Sequence, residues 1–341
     1  MSRVDPFAAG PQGGTGRTLG MGENVKIEGR SSVTAPFGTA LLEAGRADPR
    51  IVGLTADLAK YTDMLPFAAA FPERFFNVGM AEQSLIATAA GLAKTGLVPF
   101  ATTYAVFATR RAFDFIAVAV AHSKLPVKIF CGLPGLTTGY GATHQGIDDL
   151  ALMLTIPDLV VVDPCDATEL GQVVHAAAAH PGPVYCRIQR GNVPVVLDPA
   201  SYRFTIGEAR VLREGTDLGI VSTGLMTERA LDAATILAGQ GFSVGVLHVP
   251  CLKPFDTEAV VRFGRSVRKI MTVENHLARG GLGTLTVEAL FASGMLRPLR
   301  RIGLPDRYIE CGSVPHLNEK HGLSTTRLAA TAAEFIGDTA D

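Results

Sequence analysis

The chain has 341 residues, 47% of them hydrophobic and 18% charged, with a formal net charge of −1. That length allows two domains with proper cores, and a near-neutral chain without a basic cluster argues against nucleic acid as a partner. No apolar run is long enough to span a bilayer and no apolar segment near the N-terminus precedes a cleavage site, so no membrane partner is expected and the cytoplasm is the expected location. Cys131, Cys165, Cys186, Cys251 and Cys311 stand singly. They read as small core residues of a reducing compartment; none sits in a Cys/His cluster with zinc spacing, so no metal ligand is assigned.

Residues 1–32 are rich in Gly, Pro and polar side chains without periodicity, which predicts a flexible tail or an arm laid on a partner. Order is expected from Val33. Phe37–Ala47 places Phe37, Ala40, Leu41 and Ala44 on one helical face. Strands are predicted at Ile51–Thr55, Phe75–Val78, Val98–Thr102, Val127–Gly132, Leu159–Asp163 and Val184–Ile188, with helical patterns between most of them. One of those helices begins near Glu82, runs to about Lys94 and is stopped by Gly96. Gly191-Asn192-Val193-Pro194 breaks this pattern, giving a first domain over 33–190, a linker over 191–206 and a second domain over 207–341. The second domain offers strands at Leu218–Ser222, Val244–His248, Lys269–Glu274 and Leu299–Ile302, and helices near Met226–Gly239, Gly280–Ser293 and Ser324–Ile336. Thr223-Gly224 ahead of Met226 reads as a helix cap or as an anion site. Continuous apolar strands alternating with helices imply an α/β fold of two domains, each a mostly parallel sheet covered by helices.

In such sheets ligands bind beyond the carboxyl ends of the strands. That rule selects Asp57 after the first strand, Glu82 after the second, Tyr104 to Arg111 after the third, Thr138 to His144 after the fourth and Arg190 after the sixth. Glu82 opens a helix, where the dipole favours a carboxylate; a lone carboxylate facing an apolar site could equally exchange a proton with a bound heterocycle. Tyr104, Phe107 and Arg110 at a spacing of three share a helical face, either as a core stripe or as a flat wall for a heteroaromatic ring with a cation at its edge. The Gly-rich loop 137–146 carries His144, whose imidazole could move a proton or simply hydrogen-bond, and its glycines would let backbone approach a ligand. Arg190 could hold a phosphate or carboxylate, or tie down the linker.

Three strings then carry a resemblance: Gly79-Met80-Ala81-Glu82-Gln83, Gly141-Ala142-Thr143-His144-Gln145, and Arg187-Ile188-Gln189-Arg190-Gly191-Asn192-Val193-Pro194. With Glu274-Asn275-His276, Gly280-Gly281-Leu282-Gly283 and Arg301-Ile302-Gly303-Leu304-Pro305-Asp306, the span from about 33 to 337 resembles the C-terminal half of transketolase. The resemblance implies a pyrimidine-binding domain followed by the transketolase C-terminal domain, with thiamine diphosphate as cofactor. Glu82 would hydrogen-bond the aminopyrimidine ring and promote its imino tautomer. Phe107 would stack on the pyrimidine, with Tyr104 and Arg110 beside it. His144 would meet the substrate oxygen at the reacting carbon, Arg190 its far end, and Asp57 and Tyr140 would complete the substrate side.

Two departures qualify the match. The Gly-Asp-Gly…Asn pattern of the diphosphate- and magnesium-binding domain is absent from this sequence. That implies an N-terminal transketolase subunit as partner, an α2β2 assembly, and Mg2+ or a similar ion held mainly by that partner. The substrate set is also altered: Tyr140 stands where the family has an Asp, Gly132 where it has a phosphate-binding His, Thr34 where an Arg is expected and Tyr61 where a Ser is. The expected function is ketol transfer between a ketose-like donor and an aldehyde acceptor, with small sugar or keto substrates that differ from the ordinary sugar phosphates. The alternatives are the beta subunit of a 2-oxo-acid dehydrogenase, a deoxyxylulose phosphate synthase-like enzyme, and a non-catalytic regulatory subunit.

Overall fold

The structure is a computed structural model that describes residues 30–338. Its elements in chain order are β1 (Ser32–Thr34), α1 (Pro36–Ala47), β2 (Ile51–Thr55), α2 (Leu65–Ala70), β3 (Phe75–Asn77), α3 (Glu82–Lys94), β4 (Val98–Tyr104), β5 (Lys128–Gly132), α4 (Asp149–Leu154), β6 (Val160–Val162), α5 (Ala167–Ala179), β7 (Val184–Arg187) and β8 (Asn192–Pro194). There follow β9 (Arg210–Arg213), β10 (Leu218–Ser222), α6 (Met226–Gly239), β11 (Val244–His248), β12 (Cys251–Lys253), α7 (Thr257–Ser266), β13 (Lys269–Leu277), α8 (Leu282–Ala292), β14 (Leu299–Leu304), α9 (Val314–Lys320) and α10 (Thr325–Gly337). The chain is α/β, with two mostly parallel sheets covered by helices.

The first sheet runs β12-β6-β7-β5-β4-β2-β3 and is parallel except for β12. Every residue of β2, β4, β5, β6 and β7 is buried, as continuous apolar runs between two helical layers require. The second sheet runs β14-β13-β10-β11-β9, with β9 antiparallel. Helix α3 buries Leu85, Ile86, Ala89, Ala90 and Ala93 against the sheet, which stabilises so short a helix more than propensity does, and Gly96, at φ 91°, lies just past its end. Helices α5, α7 and α10 are each capped by a side chain, of Asp166, Asp256 and Ser324.

Three features depart from the sequence expectation. Residues 1–29 of the predicted tail lie outside the described residues, but Arg30 is already ion-paired to Glu228 and Asp232 at 2.6 Å each, and β1 pairs antiparallel with β8. Order thus begins ahead of Val33. The second domain returns a strand to the first: β12 pairs antiparallel with β6 and closes that sheet's edge. Its three residues are too few to show a period. Finally, four of the cysteines are buried but Cys311 is exposed, in a loop rather than a core strand. Among the described residues no helix is long and apolar enough to cross a membrane.

The two domains share a polar seam. Arg187, at the end of β7, clasps Asp149 with Nη2 to Oδ1 at 2.5 Å and Nε to Oδ2 at 2.8 Å. Its Nη1 reaches Asp163 at 3.1 Å and the carbonyl of Asn275, in β13, at 3.2 Å. Burial disfavours the charge on Asp149, but Arg187 outweighs it and holds that carboxyl below its ordinary range. A second clasp joins Glu169 to His248 Nε2 at 2.8 Å. Gly224 of the Thr223-Gly224 turn donates its N–H to the Asp163 carbonyl at 3.0 Å, so that turn is packed into the seam.

Candidate active site

The carboxyl ends of β2, β3, β4, β5 and β7 open on one rim. The loops there bring Tyr104, Phe107, Tyr140 and His144 together. The His144 ring lies 6.3 Å from Tyr104, 5.4 Å from Phe107 and 5.2 Å from Tyr140, centroid to centroid. Tyr104 and Phe107 are 5.8 Å apart, and Tyr61 and Leu133 pack around them. His144 Nδ1 is engaged with Thr143 Oγ1 at 2.8 Å, which leaves Nε2 for a ligand.

Glu82 begins α3 and is 2% exposed. Its Oε2 accepts from Arg111 Nη1 at 2.6 Å, while Oε1 has no hydrogen-bond partner among the described residues. The same guanidinium stands over the Phe107 ring, 4.7 Å from its centroid. Arg110 goes elsewhere: its Nε and Nη2 form a bidentate pair with Asp148 at 2.9 Å. The predicted common face of Tyr104, Phe107 and Arg110 therefore does not form. The physical reason is helix type. Tyr104 is still in β4, and Phe107–Arg111 is π-helical, with i→i+5 hydrogen bonding and a wider turn that sets Arg111, not Arg110, over Phe107. Arg111 is the residue the sequence reading missed; its spacing of four from Phe107 is a same-face spacing on an ordinary helix as well and could have found it.

Arg190 follows β7 and lies 5.9 Å from the Tyr61 ring centroid. Its Nε is buried without a hydrogen-bond partner among the described residues. Asp57 sits at the same rim in a left-handed conformation, φ 59°, and is locked to Asn77, whose Nδ2 donates to Asp57 Oδ1 at 2.9 Å and whose Oδ1 accepts from Asp57 N at 3.0 Å. It is thus held within the rim by Asn77. The glycines of the loop also have another use than the one predicted. A Cβ at Gly139 would sit 2.2 Å from the Gly312 carbonyl oxygen, and one at Gly141 2.6 Å from Cys311 Sγ. They admit the second domain against the loop.

Cys165, Glu169 and His248 meet with their ligand atoms within 4.8 Å of one another, a grouping no sequence spacing announces. Glu169 Oε2 already accepts from Cys165 N at 2.7 Å and from His248, and Tyr202 donates its hydroxyl to Oε1. The group is the second interdomain clasp.

Residues 31–196 match the transketolase pyrimidine-binding domain and residues 207–328 the transketolase C-terminal domain. The chain belongs to the transketolase family. It is 51% identical to the transketolase-family protein y4mN of Sinorhizobium fredii (strain NBRC 101917 / NGR234) over 307 residues, 89% of each chain. It is 40% identical to the 6-deoxy-6-sulfo-D-fructose transketolase subunit SqwH of Clostridium sp. (strain MSTE9), covering 86% of this chain and 91% of that one. Against the 1-deoxy-D-xylulose-5-phosphate synthase of Heliobacterium modesticaldum (strain ATCC 51547 / Ice1) it is 38% identical over 92% of its own length but spans only 48% of that enzyme. A solved split-gene transketolase, an inactive β4 tetramer, superposes with a TM-score of 0.82 at 41% identity, covering 90% of this chain and 98% of that one. This is a C-terminal transketolase-family subunit.

Proposed function

We propose that this transketolase-family subunit supplies the pyrimidine-binding half of a thiamine diphosphate-dependent active site and transfers a two-carbon ketol unit from a ketose-like donor to an aldehyde acceptor. The observation that carries the proposal is the Glu82–Phe107 pair. One planar N–C–N group, the Arg111 guanidinium, lies over Phe107 at 4.7 Å and donates to Glu82 at 2.6 Å. An aminopyrimidine presents the same motif, a flat ring edge with an N–C–N unit, so the spacing of carboxylate and aromatic face fits it. The Arg111 side chain is 51% exposed and can swing into solvent when the ring enters.

When bound, thiamine diphosphate supplies the nucleophilic carbon that carries the two-carbon unit. Glu82 holds the ring by a charge-assisted hydrogen bond at the amino end of α3. Phe107 fixes its plane. His144 Nε2, buttressed by Tyr104 and Tyr140, exchanges a proton with the substrate oxygen at the reacting carbon. Tyr140 and Asp57 flank the substrate, and Arg190 takes its distal end. Arg110 has the separate task of fixing the π-helical segment to Asp148.

The diphosphate and Mg2+ fall to a partner chain with an N-terminal transketolase domain, in an α2β2 assembly. Support comes from relatives of matching length described as a subunit and as a split-gene transketolase. The altered substrate residues favour small sugar or keto substrates other than ordinary sugar phosphates, and one relative's name specifies a sulfonated sugar. The Thr143-His144-Gln145 loop favours ketol transfer over the 2-oxo-acid dehydrogenase reading. The test is to assemble this chain with a chain carrying the Gly-Asp-Gly…Asn domain, offer hydroxypyruvate as donor, and screen aldehydes with and without a terminal anionic group. Ketol products are expected. Lipoyl-dependent acyl transfer instead would overturn the assignment, and saturation by xylulose 5-phosphate at low concentration would overturn the substrate reading.

A further inference from the structure

The loop that carries Tyr140 and His144 leaves the first sheet after β5 but is rooted in the second domain. Its base closes on itself: Pro134 bridges Gly146, and Gly135 donates its N–H to the Gly146 carbonyl at 2.7 Å. The residues that bracket it, Leu136 and Ile147, are 1% and 3% exposed and pack in the second domain's core with Leu218, Ile220 and Met271. Polar contacts follow the same side. Leu136 donates its N–H to Asn275 Oδ1 at 2.8 Å, and Leu277 donates its N–H to the Ile147 carbonyl at 2.9 Å; Asn275 and Leu277 both belong to β13. At the tip, Gly312 donates its N–H to the Gly139 carbonyl at 3.2 Å, and Cys311 Sγ donates to the Tyr140 carbonyl at 3.4 Å. The first domain meets His144 by ring packing of Tyr104 and Phe107.

Asn275 stands at the centre of this attachment. It is buried, and its carbonyl is fixed by Arg187 Nη1 at 3.2 Å. Gly135 has φ 58°, and a Cβ there would fall 2.2 Å from the Asn275 carbonyl oxygen and 2.6 Å from its Cγ. Glycine at the loop's base therefore lets the backbone close on this amide. The Leu136 N–H is out of reach of water, so removing Asn275 would leave a buried donor unmade, a cost the loop escapes only by moving.

We propose that Asn275 is a positioning residue for His144, so that the second domain, through this amide, sets where the imidazole stands. The anchoring stands on geometry alone; the placing of a proton-transferring group rests on the ketol-transfer reading. Hydrogen–deuterium exchange on the full-length chain tests the first. Asn275→Ala should speed exchange of the amides over 135–147 by about tenfold or more and leave those of β4 unchanged. Because Asn275 lies in the seam, Gly139→Ala provides a second variant at the half-buried tip: its Cβ would meet the Gly312 carbonyl oxygen at 2.2 Å, and the same amides should loosen. Unchanged exchange, or a rise spread equally over both domains, overturns the proposal. In the complex assembled with its partner, Asn275→Ala should lower kcat about 10–100-fold, keep thiamine diphosphate affinity within about twofold, and lower kcat no further in a His144→Ala background. The pH–rate limb lost in His144→Ala should also shift in Asn275→Ala, which a general loss of stability would not produce. Losses that multiply, with the limb unmoved, overturn the positioning role. A complex without any ketol transfer would strike the functional reading instead, and the exchange result would still decide the anchoring.

Discussion

The rim of the first sheet and the seam between the domains are both rich in polar and charged groups, and they are built to opposite ends. In the seam almost every charge is answered from within: Arg187 by Asp149 and Asp163, Glu169 by His248 and Tyr202, Glu274 by the N–H groups of Leu282 and Gly283. At the rim the groups are only half answered. Among the described residues Glu82 keeps one oxygen and His144 its Nε2 without a hydrogen-bond partner, and Glu82's partner Arg111 is half in solvent. A satisfied network fixes geometry; an unsatisfied one has capacity left for a ligand. Under the proposed function, the contrast gives structure to the seam and chemistry to the rim.

The contrast can be broken from either side. Glu82→Gln in the assembled complex should lower kcat by about 10²–10⁴-fold while leaving the melting temperature close to that of the parent chain. An unchanged kcat would remove Glu82 from the chemistry. Arg187→Met should do the reverse: it strands Asp149 and Asp163 in the interior and should cost about 3–5 kcal/mol in denaturant unfolding.

The seam also carries a pH signature. Burial raises Glu274 from 4.5 to about 7 and Asp163 from 3.8 to about 6. The folded chain then binds more protons than the unfolded one across that interval. Their contribution is fully present below about pH 4 and is lost as pH rises through 6 and 7. Unfolding free energy should therefore fall between pH 5 and 7.5, and Glu274→Gln should flatten much of that slope. An unaltered slope would place the titrating group elsewhere. The smallest expected effect returns to the rim. Arg111→Ala should tighten cofactor binding by the assembled complex roughly five- to tenfold, because a partly exposed ion pair and a cation–π contact no longer compete for Glu82 and Phe107. Weaker binding would show that Arg111 supports the ring instead of standing in its place.

How much of this was legible beforehand follows the physics of each element. Continuous apolar runs announced β2, β10 and β11 to the residue, because a strand buried on both faces has no other way to be written. The three-residue strands β1, β8 and β12 were invisible, since pairing and not composition makes them. At the rim, the rule of strand ends found His144 and its aromatic neighbours. It chose Arg110 over Arg111 as the cation beside Phe107, although a spacing of four also shares a helical face; the π-turn that takes Arg110 away to Asp148 has no sequence signature. The seam was legible only as isolated charges in apolar strands: Arg187 within β7 finds Asp149 and Asp163 elsewhere in its own domain, and Glu169 finds His248 in the other, pairings that no local spacing announces.

The central claim is that this chain carries half of an active site. Calorimetric titration of thiamine diphosphate with Mg2+ into the isolated chain, and into the chain assembled with its N-terminal partner, tests it most directly. Saturable binding by the complex, weakened by Glu82→Gln, is expected, with none of comparable affinity by the chain alone. Equal binding by the isolated chain would contradict it.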